Sequence, residues 1–413
     1  MNRLLKTQSF QHFRAWLKPV AAFALPLLPL FTILALAIDL LVSFFEGRLR
    51  KKYKLLLSTW LILPMAFYLL HVAGLLWTSN YSFALLDLKI KLSLLFIPLV
   101  FFLNPPSRKI ADKSLFFFTL GTFVASVIML SAAALKFAHN PDKTYFFYVS
   151  LSSSIHFHPT FISVYLNITL IYLALRITEL VNLRIIKMTL VCLLIFIVNA
   201  AALALLSAKM AEIAACISLL LCVIFYLRMK DRPRNVVPIM VVLSLVMICF
   251  TITAVEINNR FRNVDVAVTS MEHPNLPQDN TSGESTAARM QIWKNGWILF
   301  TENFLFGTGT GDIKDELKKV YAKNNFQTGI DRNYSPHNQY LQTGSALGIT
   351  GLLVLLMLLF LPAYQSWHSK LPLPFMFLFI LSVNLLAESM LEVQAGVLFT
   401  GFFYGLFFST DKP

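Results

Sequence analysis

Residues 236–255, VVPIMVVLSLVMICFTITAV, run for twenty positions without a charged side chain. A helix of that length crosses a hydrocarbon layer of roughly 30 Å. Similar runs recur along the whole 413-residue chain, and they are continuous rather than alternating in polarity. Continuous runs exclude the short, alternating strands of a membrane barrel. The stretch therefore predicts an all-α polytopic membrane protein.

The composition supports this class. The chain is 57% hydrophobic and only 14% charged, with a mean hydropathy of +0.67, whereas a soluble domain has about a quarter charged residues. All four cysteines lie inside apolar runs without a metal-binding spacing, which predicts free thiols in the core. The basic N-terminus precedes no clear cleavage site, so a retained segment is expected rather than a signal peptide.

The apolar runs predict about twelve transmembrane helices. Two of them are expected between Phe10 and Phe45, because Pro26 and Pro29 disrupt a helix interior. The other ten are predicted at Leu55–Trp77, Ala84–Leu103, Ser114–Phe137, Pro159–Leu175, Ile185–Leu205, Ala208–Leu227, Val236–Val255, Asn338–Leu361, Leu371–Glu388 and Gln394–Phe408.

Charge predicts the orientation of these helices. The termini and one set of short connectors hold about 21 Lys and Arg against about 5 acidic residues, the pattern of the cytoplasmic side. Both termini are therefore expected in the cytoplasm of a bacterial inner-membrane protein. The loop from Glu256 to Pro336 has about 9 basic and 10 acidic residues, as a periplasmic segment does. We expect one membrane domain, residues 1–413, with loop 256–336 inserted and containing amphipathic helices.

The net charge of +14 needs no nucleic-acid partner. The excess follows from topology and favours contact with anionic membrane lipids. No acidic cluster of the kind that holds a catalytic metal is evident, so neither a metal nor another cofactor is expected.

Two residues of the predicted periplasmic face are candidates for catalysis. His337 precedes a helix expected to begin at Asn338, and a helix N-terminus favours the neutral imidazole that can accept a proton. The alternative is a capping or interfacial histidine. Arg289 opens the stretch RMQIWKNGWILF, whose apolar residues have helical spacing; a surface helix there would present a phosphate-binding guanidinium. The alternative is a solvated interfacial arginine.

Other polar residues are expected near the same face. Lys209 and Glu212 lie one helical turn apart and can pair. Lys89 and Lys91 would either hold a lipid phosphate or extend to the interface. The glycine-rich FGTGTGDIKDEL, residues 306–317, lacks the lysine of a nucleotide loop and predicts a tight turn with Asp312 capping the next helix. Possible supporting residues are Glu388, Glu392, Asn338 and His158, the last also a helix start before Pro159.

Several of these segments together resemble the O-antigen ligase and O-antigen polymerase superfamily. The most specific is HNQYLQTGSALGITGLLVLL, residues 337–356. The arginine–tryptophan stretch, the FGTGTG turn, LLSAKMA, HPTFISVYL and ESMLEVQAGVLFTGFFYGLF add to it, so the resemblance extends from about Leu55 to the C-terminus.

The resemblance implies a metal-independent, inverting glycosyltransferase of the GT-C class. Such an enzyme takes a glycan from undecaprenyl diphosphate in the periplasm; a ligase passes it to lipid A–core, a polymerase to another lipid-linked repeat. It implies that Arg289 holds the diphosphate and that His337 assists the acceptor. Lys209 stands where the family more often has arginine, which keeps the charge but loses the bidentate fork.

The single long loop favours a ligase over a polymerase. A transporter of anionic solutes or lipids is a third alternative, but it would show internal repeats and polar groups at the bilayer midplane. The polar residues here gather at one face, which favours an enzyme.

Overall fold

The computed structural model describes residues 8–46, 58–229, 237–257 and 286–409, and these ranges contain helices and no strand. The all-α prediction is therefore confirmed. The helices are α1 (Gln8–Ala24), α2 (Pro29–Phe45), α3 (Thr59–Ala73), α4 (Tyr81–Leu103), α5 (Arg108–His139), α6 (Tyr148–Ser152), α7 (Pro159–Asn182), α8 (Ile186–Leu205), α9 (Lys209–Arg228), α10 (Val237–Ile257), α11 (Thr286–Glu302), α12 (Ile313–Lys323), α13 (Gln327–Asp331), α14 (Gln339–His368), α15 (Pro372–Leu385) and α16 (Gln394–Phe408).

Each of the twelve predicted spans coincides with a helix. Six helices, α3 with its 3₁₀ extension Gly74–Leu76, α5, α7, α8, α9 and α14, are long and apolar enough to cross a membrane, and α2, α10, α15 and α16 are shorter apolar helices. The remaining two, α1 and α4, carry charged residues. The chain between Phe10 and Phe45 forms two helices, as predicted, because α1 ends at Ala24 and α2 begins at Pro29.

Two predicted boundaries differ from the structure in ways that matter. Helix α7 continues to Asn182, seven residues past the predicted Leu175, so that Arg176 and Glu179 lie on the helix and pair at 2.6 Å. Helix α15 ends at Leu385 rather than at Glu388. Glu388 therefore lies in the turn between α15 and α16, outside the apolar helix.

The first helices are joined by buried charges. Arg14 Nε lies 2.8 Å from Asp39 Oδ1, and Lys18 Nζ lies 2.5 Å from Asp39 Oδ2. Asn104, at the end of α4, donates to the same carboxylate at 3.0 Å. Two of the basic residues that signal orientation in the sequence thus also tie α1 to α2, and Asn104 adds α4, since a buried carboxylate needs such partners.

Helix α7 lies at the centre of the bundle. Its side chains are buried nearly all round, and the Tyr165 ring stacks on Phe399 of α16 with centroids 4.8 Å apart. The Tyr165 hydroxyl donates to Ala395 O at 2.8 Å, and Asn167 Nδ2 donates to Ala211 O at 2.8 Å. These contacts place the first turns of α7, α9 and α16 at one end of the bundle, which we call the loop end.

The predicted glycine-rich turn docks against a break in α14. Gly348 has φ +65° and ψ −160°, so the helical hydrogen bonds stop there. The carbonyls of Ser345 and Ala346 accept instead from Thr308 N and Gly309 N, at 2.8 and 3.0 Å. Ile349 N donates to Phe304 O at 2.7 Å. The turn thus supplies partners for backbone groups that the break would leave unsatisfied.

The predicted capping role of Asp312 is wrong. Asp312 precedes α12, but its side chain makes no capping hydrogen bond to that helix. Its carboxylate accepts instead from the N–H groups of Ser79 and Asn80, both at 2.6 Å. Those two donors precede α4, and a carboxylate gains more from two convergent N–H groups than from one. Asp312 therefore fixes the 303–312 segment to the turn between α3 and α4.

Candidate functional site

His337 and Glu388 form the centre of the candidate site. His337 Nδ1 lies 3.1 Å from Glu388 Oε1, and both side chains are mostly shielded from solvent, with 20% and 12% of their surface exposed. His337 has φ +44°, a left-handed conformation that costs energy for a non-glycine residue. The Tyr334 ring packs edge-on against the imidazole with centroids 6.0 Å apart. The imidazole is therefore held by contacts on two sides.

The surroundings of Glu388 keep its carboxyl group ionised. Burial raises its pKa, but the hydrogen bond and charge of His337, with the charges of Arg289 and His158, outweigh burial and hold the pKa below its ordinary value. The ionised Glu388 can only accept a hydrogen bond from the ring, so when His337 is in its neutral form Nδ1 carries the proton and donates, and Nε2 is left as an acceptor. This is the arrangement of an oriented general base.

Arg289 reaches this pair because α11 packs closely on the start of α14. Gly344 accommodates the Phe300 ring, since a Cβ at Gly344 would lie 2.9 Å from Phe300 Cδ2. Ser345 Oγ donates to Gly296 O at 3.4 Å. Arg289 is half-buried in the first turns of α11 and contributes its charge to Glu388.

The helical spacing of the apolar residues in α11 predicted that they share one face, but in the structure they are not all on the buried side of the helix. Ile292 and Phe300 are buried, but 57% of Trp297 is exposed. The helix therefore packs on the protein through one side and presents Trp297 on another. The charge of Arg289 acts on the Glu388 carboxyl group, which the sequence alone did not indicate.

The start of α14 is fixed by its first residues. The Asn338 side chain caps the helix by accepting from Tyr340 N and Leu341 N at 2.9 and 3.1 Å. Gln339 donates to Glu392 Oε1 at 2.9 Å and accepts from Leu391 N at 2.7 Å. Sequence reasoning missed the role of Gln339, whose only signal is its place directly after the HN pair. These bonds join α14 to the turn that carries Glu388.

The second predicted acid, Glu392, contacts a buried lysine. Lys91 is 1% exposed, pairs with Asp87 of its own helix and lies 2.6 Å from Glu392 Oε2. Burial raises the pKa of Glu392, but the Lys91 ammonium and neighbouring groups lower it below its ordinary value. Lys89, two residues away, is on the exposed side of α4. The structure therefore separates the two lysines.

We expect Lys91→Met to destabilise the protein and Lys89→Met to leave its stability nearly unchanged. Removing Lys91 leaves the buried Asp87 and the half-buried Glu392 without their cation, which costs about 3–5 kcal/mol. The measurement is the melting midpoint of the detergent-purified full chain, with a fall of roughly 5 °C or more for Lys91→Met. The exposed Lys89 is the matched control. Equal midpoints for both variants would contradict the buried ion-pair network.

Lys209 and Glu212 lie at the start of α9. Lys209 is half-buried at the first position of the helix, and Glu212 is buried one turn later. The contact between Asn167 and Ala211 places this turn beside α7, at the loop end.

His158 is at the N-cap position of α7 before Pro159, in agreement with the predicted helix start. His337, Glu388, Arg289 and His158 therefore all lie at the loop end. Lys91 is connected to them through Glu392, which also accepts a hydrogen bond from Gln339.

The described residues contain no group of three or more His, Cys, Asp and Glu side chains placed to hold a metal ion. Their thiols at Cys192, Cys216, Cys222 and Cys249 are all free, as predicted. Their predicted place in the core holds for Cys192 and Cys222 but is wrong for Cys249, which is exposed on the outer side of its helix, and Cys216 is half-buried.

Residues 192–356 match the family model for O-antigen ligase. The matched segment begins in α8 and ends in α14, and it includes Lys209, Arg289 and His337. The predicted resemblance to the O-antigen ligase and polymerase superfamily is confirmed by this match.

A second similarity is to an uncharacterized protein of Haemophilus influenzae, 30% identical over 88 residues. The aligned segment spans 21% of this chain and 22% of that protein.

Proposed function

We propose, from the match of residues 192–356 to the family model for O-antigen ligase, that this chain is a glycosyltransferase acting as an O-antigen ligase. It would move a glycan from undecaprenyl diphosphate to lipid A–core. The observation that supports this best is the His337–Glu388 pair beside Arg289, at the loop end of a helical membrane bundle. A base next to a phosphate-binding cation is what transfer from a lipid diphosphate requires.

In the proposed reaction, His337 acts on the acceptor. The acceptor hydroxyl gives its proton to Nε2 of His337 while its oxygen bonds to the anomeric carbon of the donor sugar. The bond from that carbon to the diphosphate oxygen breaks, and its electron pair leaves with undecaprenyl diphosphate. Glu388 stabilises the imidazolium that forms, because it keeps its negative charge. A single displacement of this kind inverts the anomeric configuration.

Arg289 is the proposed partner of the leaving diphosphate. Its guanidinium can bind phosphate oxygens bidentately and neutralise the charge that develops on them. Lys209 is proposed as a second phosphate-binding cation from the loop end. For Lys91 we propose an indirect role, since its ion pairs hold the turn that carries Glu388. Lys89 lies on the exposed side of α4, where it would meet lipid headgroups. These cations allow the proposed reaction to proceed without a metal.

The proposed orientation follows the charge of the connectors. The loop end would face the periplasm, and both termini would lie in the cytoplasm of the inner membrane. The donor is a lipid and the acceptor is anchored in a membrane, so both can reach a site at the bilayer surface. The whole chain would act as one membrane domain with residues 256–336 inserted, of which 258–285 lie outside the described residues.

Complementation tests this function. A strain lacking its O-antigen ligase receives the wild type, Arg289→Ala or His337→Ala, with donor and acceptor biosynthesis from the source organism. We expect the wild type to restore glycan-capped lipid A–core on a lipopolysaccharide gel and both variants, at equal membrane levels, to fail. If the wild type only lengthens chains in a polymerase-deficient strain, the protein is a polymerase. Full activity of both variants would refute the site.

We expect Glu388→Gln to move the acidic limb of the pH profile to lower pH. The negative carboxylate favours imidazolium, so its removal keeps His337 neutral, and therefore competent as a base, to a lower pH. The low pKa of Glu388 means that its own titration does not shape the profile between pH 5 and 8. The measurement is kcat/KM against pH for the purified enzyme; an unmoved acidic limb would argue against the pair.

A further inference from the structure

A cavity of about 750 Å³ opens at the end of the bundle opposite the candidate site. It lies between the first turn of α5, the last turns of α7 and α9, and the connection from α14 to α15. Arg176, on its wall, is eighteen residues beyond His158 along α7, which is roughly 27 Å of helix. The cavity is therefore separate from the His337–Glu388 pair.

The charge of the cavity is mainly positive. Four basic side chains line it, Arg108, Lys109, Arg176 and Lys370, against two acidic ones. Both acids have partners of their own: Glu179 pairs with Arg176 at 2.6 Å, and the Tyr172 hydroxyl donates to Asp112 at 3.3 Å. The positive-inside pattern explains why this end is basic, but it does not explain why four cations from three separate segments surround one cavity.

Apart from the charged side chains and the polar Thr178 and Asn182, the lining is largely apolar or aromatic. Leu175, Leu183, Phe225, Leu371 and Leu373 contribute to its walls. Leu183 is 58% exposed, so the apolar wall continues to the outer surface of the bundle. A cavity with a basic rim and an apolar wall that reaches the outside matches a molecule with an anionic head and a hydrocarbon tail.

We propose that this cavity binds the phosphate headgroup of an anionic phospholipid from the surrounding leaflet. Arg176 and Arg108 have the fork geometry that pairs with phosphate oxygens, and Lys109 and Lys370 add point charges. Basic pockets between transmembrane helices on the cytoplasmic side are suited to acidic headgroups. The cavity volume falls within the range of small-molecule sites, so a headgroup and the first carbons of its chains fit.

The test uses the full chain purified in a neutral detergent. Phosphatidylglycerol, phosphatidylethanolamine and inorganic phosphate are added separately, and lipid binding is measured by native mass spectrometry alongside the melting midpoint. We expect phosphatidylglycerol to bind at least about tenfold more tightly than phosphatidylethanolamine. The double variant Arg176→Gln/Lys370→Gln should weaken phosphatidylglycerol binding by roughly tenfold or more, since it removes two of the four cations that attract the headgroup.

The matched control is Arg184→Gln/Lys187→Gln. It also removes one arginine and one lysine from the same end, at exposed positions that do not line the cavity. We expect it to change binding by less than about twofold. Equal weakening by both double variants would overturn the proposal in favour of general surface charge. Equal protection by inorganic phosphate, with displacement of the lipid, would overturn the lipid assignment. If the first variant does not purify as a single species, Arg108→Gln/Lys109→Gln replaces it.

Discussion

Replacement of His337 by alanine should lower kcat by roughly 10²–10⁴-fold, the contribution of a positioned general base. The imidazole contacts Glu388 through Nδ1, so Nε2 is the only ring nitrogen left to accept a proton from the acceptor hydroxyl. The alanine variant keeps Arg289 and so should keep donor binding. The measurement is transfer from lipid-linked glycan to lipid A–core by the purified enzyme, with kcat and the donor KM determined separately.

His158→Ala is the control for this experiment. His158 is an exposed histidine at the same end of the bundle, close enough to lower the pKa of Glu388. Its alanine variant removes an imidazole from the same neighbourhood, but the hydrogen bond between His337 and Glu388 remains. We expect a change in kcat of less than about threefold. A His337→Ala enzyme with nearly full kcat would exclude the histidine as the base, even if the function itself is right.

Gly348→Ala should destabilise the protein by roughly 3 kcal/mol or more. The residue has φ +65° and ψ −160°, a conformation that is essentially restricted to glycine. A Cβ there would lie 2.3 Å from Leu305 O, a backbone atom that cannot move away without displacing the 303–312 segment. That segment fixes the turn before α4 through Asp312, so the damage should spread beyond the helix. The measurement is the melting midpoint and the amount of membrane-inserted protein.

Gly296→Ala is the matched substitution. Gly296 is also buried and lies on α11, but a Cβ there meets its nearest neighbour, Leu341 Cδ1, at 3.5 Å, an ordinary contact. Alanine is also the better helix former by about 1 kcal/mol. We therefore expect this variant to be as stable as the wild type or slightly more so. If Gly348→Ala and Gly296→Ala had the same melting midpoint, the break in α14 would not depend on glycine.

The sequence by itself determined the class of the protein and the helices that build it. Apolar runs of about twenty residues leave few alternatives in lipid, because only a helix satisfies its own backbone hydrogen bonds there. Pro26 and Pro29 likewise predicted the division of the first segment into α1 and α2. The resemblance to the superfamily could also be predicted, because each segment that carries it, residues 337–356 above all, is continuous in the chain.

Only the tertiary structure decided which polar residues meet. The sequence alone does not distinguish Lys89 from Lys91. In the structure Lys89 is exposed, whereas Lys91 is enclosed by Asp87 and Glu392. Glu392 lies more than three hundred residues after Lys91 in the chain. The pairing of His337 with Glu388 and the partners of Asp312 are of the same kind. The local sequence pattern indicates which face of its own helix a side chain occupies and whether that face is buried. Ion pairs and hydrogen bonds between helices depend on rotation and register against distant segments, and those are fixed only when the whole bundle packs.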